Sequence, residues 1–107
     1  MSGKKKRVLV IDDDPELLQL VRVLLARINA EAVTTDNATT AAALLRSGAA
    51  PDLMILDLML PEVSGVEFLR QLRADPAYAQ LPVIVLSALV DPDRIPERRS
   101  KRARIAI

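Results

Sequence analysis

Residues 51–57 read Pro-Asp-Leu-Met-Ile-Leu-Asp, a continuous apolar run that begins at a proline turn and stops on a carboxylate. A strand that is covered on both faces of a parallel sheet has this pattern, because both of its faces contact apolar neighbours. The run therefore predicts a buried strand over residues 52–57, with Asp57 at the point where that strand ends.

Other segments of the chain repeat this pattern or alternate with it. Three of them have the composition of strands: residues 7–11, 31–35 and 82–86. Three have apolar residues at helical spacing: residues 15–28, 38–47 and 65–74. Strands that alternate with helices in this way imply right-handed crossovers between parallel strands. We therefore expect an α/β fold, a doubly wound parallel sheet with helices on both faces.

Two short signals mark helix ends. Asp14 followed by Pro15 is a strong helix start, because the carboxylate can accept the free amide hydrogens and proline loses nothing at the first helical position. Asp14 is therefore predicted to be an N-cap rather than a site residue. Gly48 is predicted to close the second helix.

The composition excludes several classes of protein. A chain of 107 residues without Cys or His has room for one domain, and it offers no thiolate or imidazole for a zinc site. Phe68 and Tyr78 are the only aromatic residues, so a stacking platform for nucleic acid is not expected. No apolar run is long enough for a membrane span, and a cytoplasmic location is the default.

Charge is distributed unevenly along the chain. Residues 4–7 are all basic, and residues 91–107 carry six basic and three acidic side chains, which leaves a net charge of −6 on the rest of the chain. Basic runs at the ends are most often solvated, and an acidic body beside them makes nucleic-acid binding a minority interpretation.

Polar side chains follow three of the predicted strands. Asp12 and Asp13 follow the first, Asp57 ends the third, and Ser87 follows the fourth. In a flavodoxin-like strand order of 2-1-3-4-5 these strands are neighbours, and their carboxyl ends meet at one crevice. Three carboxylates there would repel one another unless a cation lay among them. A hard divalent ion that prefers oxygen ligands, such as Mg²⁺, resolves that conflict.

At this point a resemblance can be stated. The segments VLVIDDDP (8–15), PDLMILDLMLPEVSG (51–65) and LPVIVLSA (81–88) resemble the three signature segments of response-regulator receiver domains, over about residues 7–90. The resemblance implies a phospho-accepting module of a two-component system, with Mg²⁺ as cofactor and a histidine kinase or histidine phosphotransfer protein as donor. It also implies no enzyme activity beyond self-phosphorylation and autodephosphorylation.

The resemblance also implies roles for individual residues. Asp57 matches the phospho-acceptor, Asp13 a direct metal ligand and Asp12 its water-mediated partner. Met59 matches the position whose backbone carbonyl binds the metal, and Ser87 matches the residue that hydrogen-bonds the phosphoryl group.

The last third of the chain departs from the family. Receiver domains place a lysine after the fifth strand and an aromatic residue within it, and neither is visible here: no aromatic follows Tyr78. Pro92 and Pro96 prevent a long helix, and residues 103–107 could be a short fifth strand or a helix end. We therefore expect the fifth strand and last helices to be absent or atypical. The chain divides into a basic tail (1–6), a receiver domain (7–90) and a divergent basic segment (91–107).

Two alternatives remain open at this stage. A receiver-like module that lost the lysine and the aromatic could bind partners without phosphorylation. An aspartyl-phosphate hydrolase also uses an Asp after a strand, but Met59 stands where such an enzyme needs a second acid. A missing edge strand would also expose apolar surface, so a homodimer is expected.

Overall fold

A computed structural model of the chain describes residues 5–48, 50–60, 63–89 and 100–106. Strands and helices alternate along the first three of these ranges, and a last strand follows in the fourth. The elements are β1 (Lys6–Ile11), α1 (Pro15–Arg27), β2 (Ala30–Thr35), α2 (Ala38–Arg46), β3 (Leu53–Asp57), α3 (Gly65–Ala74), a 3-10 turn (Pro76–Tyr78), β4 (Val83–Leu89) and β5 (Ser100–Ala106).

The strands form one sheet in the order β2-β1-β3-β4-β5, and the first four are parallel. The predicted fold class and strand order are thereby confirmed. In register, Ile11 of β1 lies opposite Leu56 of β3, and Asp57 lies opposite Leu86 of β4. The carboxyl ends of these three strands therefore meet at one edge of the sheet, which we call the carboxyl edge.

The fifth strand is atypical because it runs antiparallel to β4. Ser100 lies opposite Leu89, and Ala106 lies opposite Val83. Of the two alternatives for residues 103–107, the strand is correct as far as Ala106, while residue 107 lies outside the described residues. The expectation that the fifth strand is absent or atypical is confirmed in its second form, because β5 is present and pairs antiparallel along the whole of β4.

One face of the sheet carries most of the core. Continuous apolar strands supply its fully buried side chains, and α2 and α3 cover it with residues at helical spacing. The buried cluster comprises Leu9, Ile11, Ala38, Ala41, Leu45, Met54, Leu56, Leu60, Phe68, Leu72, Val83 and Val85.

Helix α1 lies against the sheet far less completely. None of its residues is buried, although Leu17, Val21 and Leu25 are partly covered. Leu24 is 50% exposed and Ile28 is 72% exposed. The broad apolar face predicted for this helix therefore packs along only part of its width.

The helix ends follow the predicted signals. Asp14 caps α1 by accepting hydrogen bonds from the amides of Glu16 (3.0 Å) and Leu17 (3.4 Å). Asn37 caps α2, and Gly48 follows that helix with a φ of 91°, a conformation that glycine adopts without strain. Within the described ranges we find no helix with the length and apolar character of a membrane span.

Candidate metal and phosphoryl site

Asp57 ends β3 at the carboxyl edge, and its side chain is fully buried. Its Oδ1 atom accepts a hydrogen bond of 2.9 Å from the backbone amide of Met59. An aspartate that accepts from the amide two residues later forms a local turn, which holds the side chain in one orientation. The carboxylate is therefore already oriented by the backbone that follows the strand.

Asp12 is held in the same way at the end of β1. It is fully buried, and its Oδ1 atom accepts a hydrogen bond of 2.8 Å from the amide of Asp14. Its own amide donates to the carbonyl of Thr35, at 3.1 Å, which ties this position to the end of β2. Asp13, which lies between Asp12 and Asp14 in the sequence, is exposed to solvent.

The three aspartates predicted to converge do so. Carboxylate oxygens of Asp12, Asp13 and Asp57 lie within 4.8 Å of one another. Like charges this close destabilise one another, and a cation among them removes the repulsion. Mg²⁺ prefers oxygen ligands and commonly binds through a few carboxylates together with water. Two carboxylates oriented by backbone amides and a third open to solvent therefore fit a hard divalent ion.

Gly65 brings α3 against the end of β3. Its amide donates to the carbonyl of Leu58 at 3.1 Å. A Cβ atom at this position would lie 2.5 Å from the Cα of Leu58 and 2.6 Å from the carbonyl oxygen of Asp57. Both contacts are with backbone, which cannot move aside as a flexible side chain can. Gly65 therefore allows the backbone of α3 to approach the end of β3 closely, which a residue with a Cβ atom could not do.

Ser87 and Met59 are placed near the site by the backbone. Ser87 is one residue beyond Leu86, the partner of Asp57, so it lies at the same edge of the sheet. Met59 contributes its amide to Asp57, and its side chain is 48% exposed. The hydroxyl role of Ser87 and the metal-binding role of the Met59 carbonyl stay predictions.

Sequence reasoning missed the backbone amides that orient the two buried carboxylates. The available signal was an aspartate at a strand end followed by a turn, in which the side chain accepts from the amide two residues on. Both Asp12 with Asp14 and Asp57 with Met59 have this spacing.

Comparisons with known proteins agree with this geometry. The family model described as "Response regulator receiver domain" matches residues 8–104. The transcriptional regulatory protein KdpE of Mycobacterium tuberculosis (strain CDC 1551 / Oshkosh) is 44% identical over 86 residues, which is 78% of this chain and 35% of that protein. The DNA-binding response regulator MtrA of Mycolicibacterium smegmatis is 34% identical over 91 residues, 85% of this chain and 38% of that protein. The chain thus spans little more than a third of the length of these relatives.

Solved structures show the same fold. The phosphorylated cyanobacterial phytochrome response regulator RcpA superposes with a TM-score of 0.74 at 32% identity, covering 84% of this chain and 70% of that one. The Mn²⁺-bound form of response regulator Rcp1 superposes with a TM-score of 0.73 at 28% identity, covering 82% and 69%. With the family model matching most of its length, the chain belongs to the response regulator receiver domain family.

Proposed function

We propose that this receiver domain takes a phosphoryl group onto Asp57 in a Mg²⁺-dependent reaction. The observation that carries the proposal is the position of Asp57: fully buried at a strand end, with carboxylate oxygens of Asp12 and Asp13 within 4.8 Å. An aspartate with only a structural role would be destabilised by two further carboxylates so close to it, because like charges repel. The arrangement is explained if the three acids serve a cation and a phosphoryl group.

Each residue has a defined task in this proposal. Asp12, Asp13 and Asp57 would hold the metal ion with their carboxylates, and the backbone carbonyl of Met59 would complete the protein's contribution. Bound Mg²⁺ neutralises the negative oxygens that gather during phosphoryl transfer. The amide of Met59 keeps the Asp57 carboxylate in one orientation, so that little reorganisation precedes attack. Ser87 donates a hydrogen bond to a phosphoryl oxygen.

The transfer step balances without further reactants. An oxygen of Asp57 forms a bond to phosphorus while the bond between phosphorus and the imidazole nitrogen of a phosphohistidine breaks. The imidazole leaves with the electron pair and takes up a proton from solvent water. The protein need only position the partners and stabilise charge, since the transition state is loose and largely dissociative.

The donor is proposed from the family. Receiver domains accept phosphoryl groups from histidine kinases and are generally not true enzymes. A histidine kinase or histidine phosphotransfer protein is therefore the proposed partner. Self-phosphorylation and autodephosphorylation are the only activities that we propose. The proposed location is the cytoplasm. MtrA is named as DNA-binding, but this chain aligns with only 38% of it, so nucleic-acid contact is not part of the proposal.

Two further points of organisation are proposals as well. The chain is divided into a basic tail at 1–6, the receiver body at 7–90 and the basic segment at 91–107, and the reversed direction of β5 supports setting the last segment apart. A second copy of the chain is proposed as a partner, because α1 leaves Leu20, Leu24 and Ile28 exposed.

A phosphorylation-independent interaction module is the competing function. The observation that favours it is the lack of any aromatic residue after Tyr78. Such a domain would keep the acidic cluster as an inherited feature and would not respond to phosphoryl donors.

The two functions are separated by incubating the protein with MgCl₂ and acetyl phosphate and measuring its intact mass. We expect the mass to rise by one phosphoryl group, and we expect EDTA or the substitution Asp57→Asn to abolish the increase. Asp52→Asn is the matched control, because Asp52 lies at the opposite edge of the sheet, where it accepts from the amide of Arg7 at 2.8 Å.

A mass increase that persists in Asp57→Asn would place the phosphoryl group elsewhere. No increase in the wild-type protein, together with no effect of beryllofluoride on its thermal stability, would favour the interaction module.

A further inference from the structure

A cavity lies between α2 and the amino ends of β1 and β2, at the edge of the sheet opposite the three aspartates. Its apolar lining consists of Leu9, Val33, Leu44, Leu45 and Pro51, and its volume is about 190 Å³. A dry apolar cavity of about 150 Å³ can hold a benzene molecule, so this cavity has room for an apolar group of about six carbon atoms. The function proposed for the carboxyl edge makes no use of this cavity.

The register of β1 and β2 gives the cavity an apolar floor and a charged mouth. Arg7 is in register with Glu31, and Leu9 is in register with Val33. Residues two apart on a strand share a face of the sheet, so both pairs lie on the face that contributes Leu9 to the core. The side chains of Arg7 and Glu31 are 41% and 53% exposed, whereas Leu9 is 3% exposed. The apolar pair therefore forms the floor of the cavity, and the charged pair forms its mouth.

Arg7 has unused donors at this mouth. Its Nε atom donates to Oε1 of Glu31 at 3.0 Å, while its two terminal nitrogens make no hydrogen bond with any residue that the structure describes. A guanidinium group can bind a carboxylate through two parallel N–H···O bonds, which are strong because both partners are charged. A carboxylate at the mouth can therefore accept from the terminal nitrogens of Arg7 without displacing Glu31.

The surface around the mouth carries more positive than negative charge. Three basic residues and two acidic ones line it: Lys5, Lys6, Arg7, Glu31 and Asp52. Both acids already accept hydrogen bonds from Arg7, Glu31 from the guanidinium group and Asp52 from the backbone amide at 2.8 Å. Neither lysine forms an ion pair within the described part of the chain. The excess of positive charge favours an anion at the mouth over a cation.

We propose that the cavity binds a small carboxylate whose apolar part has about six carbon atoms, such as heptanoate or benzoate. The apolar part covers Leu9, Val33 and Leu45, which stabilises the complex in proportion to the apolar area removed from water. The carboxylate accepts hydrogen bonds from the terminal nitrogens of Arg7. An apolar floor with a guanidinium group at its mouth thus recognises both parts of such a molecule.

A series of ligands tests the cavity in the unmodified protein. Sodium carboxylates from butanoate to decanoate are titrated into the full, isotope-labelled chain, and the amide chemical shifts of Leu9, Val33 and Leu45 are followed by NMR. Each methylene group that enters the cavity should tighten binding by about fourfold. The gain should stop once the tail reaches about six carbon atoms, because longer tails extend into water. An affinity that keeps rising as far as decanoate would contradict binding in a cavity of this volume.

The role of Arg7 is tested by comparing heptanoate with hexanol, which has an apolar tail of the same length and no charge. The wild type should bind heptanoate at least about tenfold more tightly, the effect of a hydrogen bond between charged groups. Arg7→Gln should reduce this ratio to less than about threefold, whereas a general loss of structure would weaken both ligands and preserve the ratio. Arg70→Gln is the matched control, because Arg70 is exposed on α3 and pairs with Glu67. A wild type that binds both ligands equally would overturn the role of Arg7.

Filling the cavity tests the position of the apolar part. Val33→Phe should abolish heptanoate binding, because the larger side chain occupies the cavity. Val66→Phe is the matched control, since Val66 is 51% exposed on α3 and does not line the cavity. If Val33→Phe does not fold, Leu44→Phe fills the same cavity from α2. A folded, filled variant that binds heptanoate as tightly as the wild type would place the ligand elsewhere and overturn the proposal.

Failure of this proposal is distinguishable from failure of the proposed phosphorylation, because the cavity and Asp57 lie at opposite edges of the sheet. Asp57→Asn, which cannot accept the phosphoryl group, should bind heptanoate as the wild type does. A wild-type protein whose spectrum does not change with heptanoate or benzoate would overturn the carboxylate site and leave the proposal for Asp57 intact.

Discussion

Asp13 is the exposed carboxylate of the cluster that contains Asp12 and Asp57. Without a cation its charge adds to the repulsion within the cluster, and with a cation it adds to the binding. We expect Asp13→Asn to raise the melting temperature by a few degrees in EDTA and to reduce the further rise that saturating MgCl₂ produces in the wild type. Thermal unfolding followed by circular dichroism under both conditions measures the two effects.

The control for this substitution is Asp36→Asn, which removes an exposed carboxylate just before α2. It should leave the response to MgCl₂ unchanged. An Asp13→Asn protein whose melting temperature rises with MgCl₂ as much as that of the wild type would show that Asp13 takes no part in metal binding.

The acidic residues of the site were predictable from the sequence because each ends or follows a continuous apolar strand. Asp12 and Asp57 are such positions, and parallel strands that are neighbours must bring them to one edge. The amides that orient them were not predicted. Whether the side chain of Asp57 turns back to the amide of Met59 depends on the local backbone, which composition does not specify.

Packing of α3 against the end of β3 depends on Gly65. A methyl group there would meet the backbone of Leu58 and Asp57 at about 2.5 Å, so helix and strand end must separate. We expect Gly65→Ala to lower the free energy of unfolding by about 3 kcal/mol and to weaken beryllofluoride binding, because the carbonyl of Asp57 is displaced. Urea unfolding measures the loss of stability, and a calorimetric titration with beryllofluoride in saturating MgCl₂ measures the weaker binding.

Gly48→Ala is the matched control for that substitution. Gly48 has open space around it, but its φ of 91° strains an alanine, so we expect a loss of about 1 kcal/mol. Beryllofluoride binding should not change, since Gly48 follows α2 at the opposite edge. Equal losses of stability in the two variants would mean that α3 moves away from β3 at little cost.

The strands differ in how far the sequence predicts them. β1, β3 and β4 each contain a continuous apolar run of at least four residues, a pattern that predicts buried parallel strands. The sequence of β5 fits either a strand or a helix end, because Lys101, Arg102 and Arg104 interrupt its apolar residues. Its direction follows from chain length: only residues 90–99 separate it from β4, and a crossover to a parallel strand takes a dozen residues or more.

At the scale of the whole molecule, four of the exposed large apolar side chains among the residues whose burial is described lie on α1 or at its C-cap. Leu20, Leu24 and Ile28 are at least half exposed and are spaced four residues apart, which places them along one ridge of the helix. The sequence predicted this apolar face but could not predict that it would stay open, because the coverage depends on elements from elsewhere in the chain. Rows with this spacing are the ridges that interdigitate when two helices pack.

A second copy of the chain is the occupant that the charges of α1 favour. Glu16 lies in the first turn of the helix and Arg27 in the last. When two copies pack their α1 helices antiparallel around a two-fold axis, each Glu16 approaches the Arg27 of the other copy, while the apolar ridges meet between them. Leu24→Lys should therefore shift the protein toward the monomer, measured by light scattering over a concentration series.

The control for Leu24→Lys is Val66→Lys on α3, because the two side chains have nearly the same exposure, 50% for Leu24 and 51% for Val66. If association depends only on the total exposed apolar surface, both substitutions should weaken it equally. If the two copies pack through α1, only Leu24→Lys should weaken it. The single substitutions Glu16→Arg and Arg27→Glu should each weaken association, because each places like charges opposite one another across the two-fold axis. The double variant, which carries both substitutions, should restore association, since a two-fold contact needs only opposite signs at the two ends. A wild-type protein that stays monomeric at the highest concentrations would mean that the exposed ridge of α1 does not bind a second copy.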